Sequence, residues 1–497
     1  MSDPTATARV AAVDLGATSG RVMAVEAGPG GLTATEVHRF PNGARDDGGH
    51  LVWDYDALLA GVVEGLRRAA ATGPVDSVGI DTWGVDYGLL DAEGNLLGAP
   101  VSYRDGRTEQ GVRLLGGHLG TDELYAVTGI QHQRFNTVYQ LAAEAAGLAP
   151  GGRAAGDGRL ARAERLLLMP DLIAYALTGV AVTEVTNAST TGMLDASTRS
   201  WSPRVLDALG IGKDLFGDLV EPGAVIGPVT EAVAEATGLA PGTPVIAVGS
   251  HDTASAVAAV PGLRRGVAFI SSGTWSLVGL ELGTPILTPA SRDANFTNEL
   301  GVDGTVRYLR NVAGLWLLSE CRREWAADGG QAELAELLAE AAGEPAGAAL
   351  VRADDDAFLA PGGMPGRIAE AVSRAGGPAP GTRGQTVRCI VDSLALAYAA
   401  AVREAAELSG TPVHAVRIVG GGSHNHLLCQ ATADATGLTV HAGPAEGTAL
   451  GNALVQARAL GVLTGGLDAL RDIVAASCPV TTYTPDPGSP LARKAMP

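Results

Sequence analysis

The chain has 497 residues, of which 46% are hydrophobic, only 4% are aromatic and 68 are glycine. That length exceeds one ordinary core, so two domains, or two and a cap, are expected, with interiors of Ala, Val, Leu and Ile between many sharp turns. Fifty-four acids against 35 bases leave a net charge of −19; such a charge repels phosphate backbones and anionic lipid heads, so neither nucleic acid nor a membrane is an expected partner.

The first element, "VAAVDLGATSGRVMAVEA", runs an apolar strand into Asp14 and a bend of glycine and small hydroxylic residues, then leaves as a second strand. It reads as a β-hairpin. Next, "SVGIDTWGVDYGLLDAEGNLLGAPVSYRDGRT" gathers Asp81, Trp83, Gly84, Asp86, Tyr103, Arg104, Asp105 and Arg107 on strands and turns. Aromatic faces beside polar edges suit a polyol, although "YRDGRT" alone reads equally well as a surface hairpin with salt bridges. "APGGRAAGDGRLARAE", about 149 to 164, lacks apolar periodicity and is expected to be a surface loop.

"PVIAVGSHDTASAVAAV" places Ser250-His251-Asp252-Thr253 where a strand gives way to a helix. Asp252 is there either a helix N-cap or a base that accepts a proton from a substrate hydroxyl during phosphoryl transfer. The turn-rich, charged "AAVPGLRRG" suggests a boundary near 260, dividing the chain into domains 1–260 and 261–497. Immediately afterwards "VAFISSGTWSLVGLEL" echoes the opening hairpin, with Ile270-Ser271-Ser272-Gly273-Thr274 falling on Val13-Asp14-Leu15-Gly16-Ala17. A long helix is expected over "TVRCIVDSLALAYAAAVREAAELSG". A strand from Val416 to Val419 then enters Gly420-Gly421-Gly422, and a helix from about His424 to Ala435 stops at Gly437.

A hairpin tip of glycine and hydroxylic residues can be an ordinary tight turn or a cradle for phosphate oxygens. Two copies at matching strand positions favour the cradle. Asp14 is wrong for holding phosphate directly but suits Mg²⁺ through water, and Arg21 suits the offset of nucleotide charge. Lys213 and Lys494, the two lysines, lie in neither a Walker loop nor a protein-kinase VAIK context. Cys321, Cys389, Cys429 and Cys478 are scattered and read as reduced thiols. With no basic-then-apolar leader and no run of about 18 apolar residues, a cytoplasmic protein is expected.

Taken in order, "VDLGATSGR", "DTWGVD", "YRDGRT", "GIQHQRFNTVYQL", "MPDLIAYALTG", "SHDTASAV", "SSGTWSLVG", "RNVAGLWLLSE", "IVGGGSHNHLL" and "TALGN" span nearly the whole chain. Together they resemble the FGGY family of carbohydrate kinases. The resemblance implies an α/β, actin-like (ribonuclease H-like) two-domain ATPase fold with an interdomain cleft that closes over its substrates. It implies ATP contacts at Ala17, Thr18, Ser19, Gly20, Arg21, Thr274 and Gly421. Sugar contacts fall on Gly84, His251, Asp252, Thr253 and Asn311, with Asp252 as proton acceptor. The implied activity is Mg²⁺- and ATP-dependent phosphorylation of the 1-hydroxyl of a ketose, L-rhamnulose, by a monomer or small homo-oligomer. Another ketose, such as L-fuculose or a pentulose, is the alternative, and a sugar-independent actin-like ATPase a remote one. Ser319 stands where related chains can carry a longer amide that touches nucleotide, and His132, Gln133 and Arg134 form a polar insert that either tunes sugar preference or faces solvent.

Overall fold

The computed structural model describes residues 6–150, 158–327, 329, 333–358, 360 and 362–495. Residues 151–157 of the expected surface loop therefore lie outside the described residues. The chain forms two compact units. One comprises Met1–Ala259, Leu282–Arg307 and Thr448–Ser477, and the other Val260–Glu281, Tyr308–Gly447 and Cys478–Pro497.

In the first unit the sheet is built on β1 (Ala8–Leu15), β2 (Ser19–Gly28), β3 (Gly31–Pro41), β4 (Ser77–Thr82), β5 (Val225–Pro228) and β6 (Pro244–Ile246). Their order across the sheet is β5-β6-β4-β1-β2-β3. β1 pairs antiparallel with β2 and parallel with β4, in a register that sets Asp14 opposite both Arg21 and Asp81. Being flanked on both sides, β1 is buried along almost its whole length, which is why it reads as a continuous apolar run. β3 closes the edge and is mostly exposed or half-exposed.

The second unit repeats this plan. β7 (Val267–Ser272), β8 (Trp275–Leu282), β9 (Val306–Ala313), β10 (Ala415–Val419), β11 (Thr439–Ala442) and β12 (Thr481–Tyr483) run in the order β9-β8-β7-β10-β11-β12. β7 pairs antiparallel with β8 and parallel with β10, as β1 does with β2 and β4. In both units the parallel strands end on an antiparallel partner, β5 on β6 and β12 on β11. The echo between the two hairpin sequences thus extends to the six strands around each, the second sheet carrying a seventh, Thr297–Leu300, beside β9.

The long helix extends from Arg383 to Ser409, capped by the Thr382 side chain and stopped at left-handed Gly410 (φ 61°). The glycine turn after β10 opens with a short 3₁₀ segment, Gly421–His424, and the helix proper runs from His426 to Thr436 with Gly437 as its left-handed stop. The described end of the 149–164 segment differs from expectation. Arg159 is buried and its guanidinium meets Glu144 at 3.0 and 2.9 Å, so this part of the loop is tied into the interior.

The three glycines after β10 are not equivalent. A Cβ on Gly422 would lie 2.0 Å from Ser272 Oγ and one on Gly420 2.8 Å from Ser272 O, whereas one on Gly421 would meet nothing within 4 Å. Overpacking of this kind costs about 1–3 kcal/mol. Gly422→Ala is therefore expected to melt below the parent chain, and Gly421→Ala to melt with it, in parallel thermal denaturation scans.

Candidate active site

The first hairpin tip, Gly16-Ala17-Thr18, follows β1 directly. Gly16 N–H donates to Ser19 O at 2.9 Å, and Asn42 clamps the tip from outside through Nδ2 to Gly16 O (2.8 Å) and its N–H to Thr18 O (3.1 Å). Thr18 is exposed at the apex. Gly20 has a packing reason of its own, since a Cβ there would sit 2.4 Å from the Phe40 ring. Arg21 turns onto its cross-strand neighbour, donating from Nε and Nη2 to Asp14 Oδ2 at 2.8 and 2.7 Å.

Beside Asp14 in the register stands Asp81, fully buried. Its Oδ2 accepts from Asn452 Nδ2 at 2.6 Å, while its Oδ1 is buried without a hydrogen-bond partner. Burial first, then the charge of Asp14, push the Asp81 carboxyl well above the usual carboxylate range. Asn452 is itself held by Gln456, which reaches Ser77 and the Ala11 carbonyl.

In the second unit the tip Gly273-Thr274 is fixed from the far side. Gly273 O accepts from Leu315 N–H and Thr274 O from Trp316 N–H, at 3.0 and 3.2 Å. Gly314 permits that approach, because a Cβ there would lie 2.6 Å from Trp275 C. Gly421 is exposed at the glycine turn whose other members pack on Ser272, so this unit brings Thr274 and Gly421 to the same end of the parallel pair β7 and β10. Asn311 lies on β9, half-buried, and Ser319 is exposed on the helix Trp316–Ala327.

Asp252 is the first residue of the helix Asp252–Ala258, and the N-cap is His251, which makes no side-chain capping bond. The capping alternative is thereby removed. The Asp252 carboxylate stays 35% exposed, accepts from Thr253 Oγ1 at 3.0 Å and lies 3.5 Å from His251 Nε2. Desolvation raises its pKa; the neighbouring His251 opposes this and the charge of Asp14 adds to it. The strand end that carries it is fastened by Glu184, buried at the N-terminus of the short helix Val185–Ala188. Glu184 Oε2 accepts from Ser250 N–H (3.1 Å), Ser250 Oγ (2.6 Å), Thr186 Oγ1 (2.6 Å) and Asn187 N–H (3.2 Å), and Oε1 from Thr186 N–H (2.8 Å).

"DTWGVD" folds around Asp86. Its Oδ2 accepts from the indoles of Trp53 and Trp83 at 2.7 and 3.0 Å and from Tyr103 N–H at 3.1 Å, and its Oδ1 from Gln140 Nε2 at 2.9 Å. Trp53, Trp83, Tyr103 and Phe135 form a chain of ring contacts with centroids 4.3 to 6.4 Å apart. Val85, at φ 74°, occupies a conformation that β-branched residues rarely adopt. Asp86 N–H donates to Gly84 O at 3.0 Å, an i+2 to i bond that makes the segment a strained γ-turn. Thr137 Oγ1 and Gln140 Nε2 hold the Val85 carbonyl at 2.6 and 3.3 Å.

"YRDGRT" is not a surface hairpin, and its ion pair, Arg107 Nη1 to Asp105 Oδ1 at 3.5 Å, is buried. Asp105 and Arg107 are buried; Asp105 takes the backbone N–H groups of Leu51 and Arg107, and Arg107 donates to Gln140 Oε1 at 2.9 Å, joining the Asp86 network. Tyr103 and Gly84 are half-buried and Arg104 is exposed. In the insert, Arg134 pairs with Glu109 at the exposed surface (3.1 Å) and His132 Nδ1 meets Tyr139 OH at 2.8 Å.

The model for the N-terminal domain of the FGGY family of carbohydrate kinases matches residues 10–259, and the model for its C-terminal domain residues 268–460. The chain belongs to this family. A rhamnulokinase of Bacteroides thetaiotaomicron is 44% identical over 475 residues, 95% of each chain, and one of Enterococcus faecalis is 41% identical over 96% of this chain and 94% of its own. The crystal structure of gluconate kinase from Lactobacillus acidophilus superposes with a TM-score of 0.78 at 17% identity, covering 99% of this chain and 96% of that one, which supports the two-domain kinase fold.

Within the first unit the kinase gathers Asp14, Arg21, Asp81, His251, Asp252 and Thr253 through its sheet and one helix start. Glu184, Asn42, Asn452, Glu299 and Arg307 were missed by sequence reasoning, and each acts through a partner remote in the chain. One further acid lies behind Glu184. Asp171, also buried, accepts from Glu184 N–H at 3.2 Å through Oδ1, and its Oδ2 has no partner. Burial and the Glu184 charge raise its pKa well above the ordinary value. The folded chain thus holds this proton more tightly than the unfolded chain does, so stability falls as pH rises from about 4 through the raised value. Asp171→Asn escapes that loss. It is expected to melt above the parent at alkaline pH, with the difference shrinking towards pH 4, in melts across a pH series.

Proposed function

We propose that the kinase transfers the γ-phosphoryl group of ATP to the 1-hydroxyl of L-rhamnulose, giving L-rhamnulose 1-phosphate and ADP. The observation that carries this reading is the 40–44% identity to curated rhamnulokinases over 95% or more of the chain. Asp252 accepts the proton of the 1-hydroxyl; the oxygen then bonds to the γ-phosphorus as the bond to the β-γ bridging oxygen breaks and ADP leaves with that electron pair. Partial exposure of Asp252 at a helix start is compatible with reaching a bound hydroxyl. His251, Thr253, Gly84 and Asn311 are assigned to the sugar, and Ala17, Thr18, Ser19, Gly20, Arg21, Thr274 and Gly421 to the nucleotide.

The donor set fits a hard, water-carrying cation. Asp14 and Asp81 face one another across β1 and β4, and Asp81 keeps a buried oxygen without a partner. Among the described residues no group of three or more His, Cys, Asp or Glu is disposed to hold a metal by itself. Mg²⁺ arriving on ATP, touched by Asp14 through water, matches that arrangement and would neutralise phosphate charge. Arg21, turned onto Asp14, keeps this carboxylate oriented.

A substrate panel tests the reading. Coupled ADP release with L-rhamnulose is expected to exceed that with L-fuculose, L-ribulose or D-xylulose; a preference for one of the others reassigns the sugar, and ADP release independent of sugar rejects the kinase assignment. Asp252→Asn is expected to lower kcat by about 10² to 10⁴ with both KM values near the parent's and an unchanged melt. Because the Asp252 carboxyl is raised, the acid limb of kcat/KM should fall at a pH above the ordinary aspartate value.

For the nucleotide side, Gly273 offers a clean variant. Its backbone is not left-handed and a Cβ would come no closer than 3.7 Å to Trp275 O, so the folded chain has room for a side chain there. Gly273→Val is accordingly expected to fold normally yet raise the KM for ATP well above that for sugar. Thr274→Val, which keeps shape and removes a donor, should do the same.

A further inference from the structure

Arg307 is a fully buried cation that phosphoryl transfer does not itself require. Its side chain is 0% exposed, and Nε and Nη2 both donate to Leu300 O, at 3.0 and 2.9 Å. That fork leaves Nη1 aimed at two groups, Glu299 Oε2 at 3.0 Å and His251 Nδ1 at 3.1 Å. Glu299 Oε2 also lies 3.2 Å from His251 Nδ1, and His251 Nε2 lies 3.5 Å from Asp252 Oδ1. The imidazole is thus gripped on one nitrogen by a buried ion pair and presents the other to the proposed base.

The two neutral tautomers are not equivalent in this setting. With the proton on Nε2, Nη1 donates to the bare Nδ1 and keeps an ion-pair contact with Glu299 Oε2, which itself accepts no hydrogen bond, and Nε2–H faces the Asp252 carboxylate. The one poor contact is between two acceptors, Nδ1 and Glu299 Oε2. With the proton on Nδ1, the bond to Glu299 is gained, but Nδ1–H then confronts an arginine nitrogen that can only donate, and bare Nε2 confronts a carboxylate oxygen. Which nitrogen of a histidine carries the proton is set by the bond its other nitrogen makes. Here that bond comes from a group that cannot be deprotonated. Burial lowers the pKa of Arg307, and the charges of Glu299, Glu184 and Asp252 oppose that shift and favour the charged guanidinium.

We propose that Arg307 is a positioning residue which, against the pull of the neighbouring Glu299 carboxylate, fixes His251 as the Nε2–H tautomer, so that a hydrogen-bond donor stands beside Asp252 for a ketose oxygen next to the reacting hydroxyl. Donation from Nε2–H orients the sugar and leaves Asp252 as the acceptor for the 1-hydroxyl proton. The functional part of this inference rests on the sugar assignment above; the tautomer itself does not.

The test reads the ring directly. In the full chain labelled with ¹⁵N-histidine, without substrate and in mildly alkaline buffer, the His251 signals are assigned by their loss in His251→Asn. The expected spectrum shows a protonated Nε2 and a bare Nδ1. Arg307→Met is expected to move the proton to Nδ1, where Glu299 accepts it, and to raise the KM for L-rhamnulose about tenfold, the loss of one ordinary hydrogen bond, with the KM for ATP changed less than about twofold. A proton on Nδ1, or on both nitrogens, in the parent chain overturns the proposal. So does a folded Arg307→Met that keeps Nε2–H. Should Arg307→Met fail to fold, Glu299→Gln decides alongside the parent spectrum: retention of Nε2–H supports Arg307 as the controlling group, and a shift to Nδ1–H assigns control to Glu299 instead. Because the spectrum needs no sugar, its failure and a failure of the substrate panel are separate results.

Discussion

Glu184 ties together parts of the first unit that share no sequence neighbourhood. Its carboxylate takes the backbone and side-chain donors of Ser250 and those at the start of the helix Val185–Ala188, while Thr186, held by it, accepts from His251 N–H. A buried carboxylate is expensive unless its lone pairs are filled, and here five donors fill them. The consequence is positional. The Ser250 carbonyl also accepts from Thr82 N–H, so the end of β4, the start of Val185–Ala188 and the approach to Asp252 are joined into one piece. An aspartate that is to meet a single hydroxyl needs such a fixed backbone more than it needs contacts of its own.

A similar economy governs Asp86. Four donors converge on it, two of them indoles, and through Gln140 the network extends to Arg107 and to the strained Val85 carbonyl. Left-handed backbone at a β-branched residue persists where the surroundings over-determine it. The indole rings of Trp53 and Trp83 are therefore set by hydrogen bonds as much as by packing, and Gly84 is presented by a turn that the chain would not adopt unaided.

The sheets and their repeat were legible from sequence because both hairpins write the same pattern locally: a β-branched run, a bend of small residues, a second run. Asp252 was legible for a related reason, since a strand-to-helix junction advertises its first acid. The polar supports were not legible. Ser250 lies 66 residues from Glu184, His251 56 from Arg307, and Asp81 371 from Asn452. No local period or motif connects such pairs; each joins elements that only the folded chain brings together. "YRDGRT" stayed open between a built cluster and a surface hairpin for the same reason, because a short run of charges looks solvated until Gln140 and Leu51 are seen to meet it.

The acids of the first unit raise a question that composition alone does not answer. A chain of net charge −19 sets Asp81 and Asp252 where both feel the charge of Asp14, at the end of the sheet assigned to an anionic co-substrate. Direct contact between these carboxylates and phosphate would be repulsive. Arg21 answers part of this by sitting on Asp14, and burial answers another part by favouring the neutral form of Asp81. Carboxyl groups gathered in this way favour nucleotide that brings its own cation over the free anion. Under the proposed assignment, backbone N–H groups and hydroxyls at a hairpin tip would need only to orient phosphoryl oxygens whose charge is already met, which is a task suited to glycine, serine and threonine and does not call for lysine.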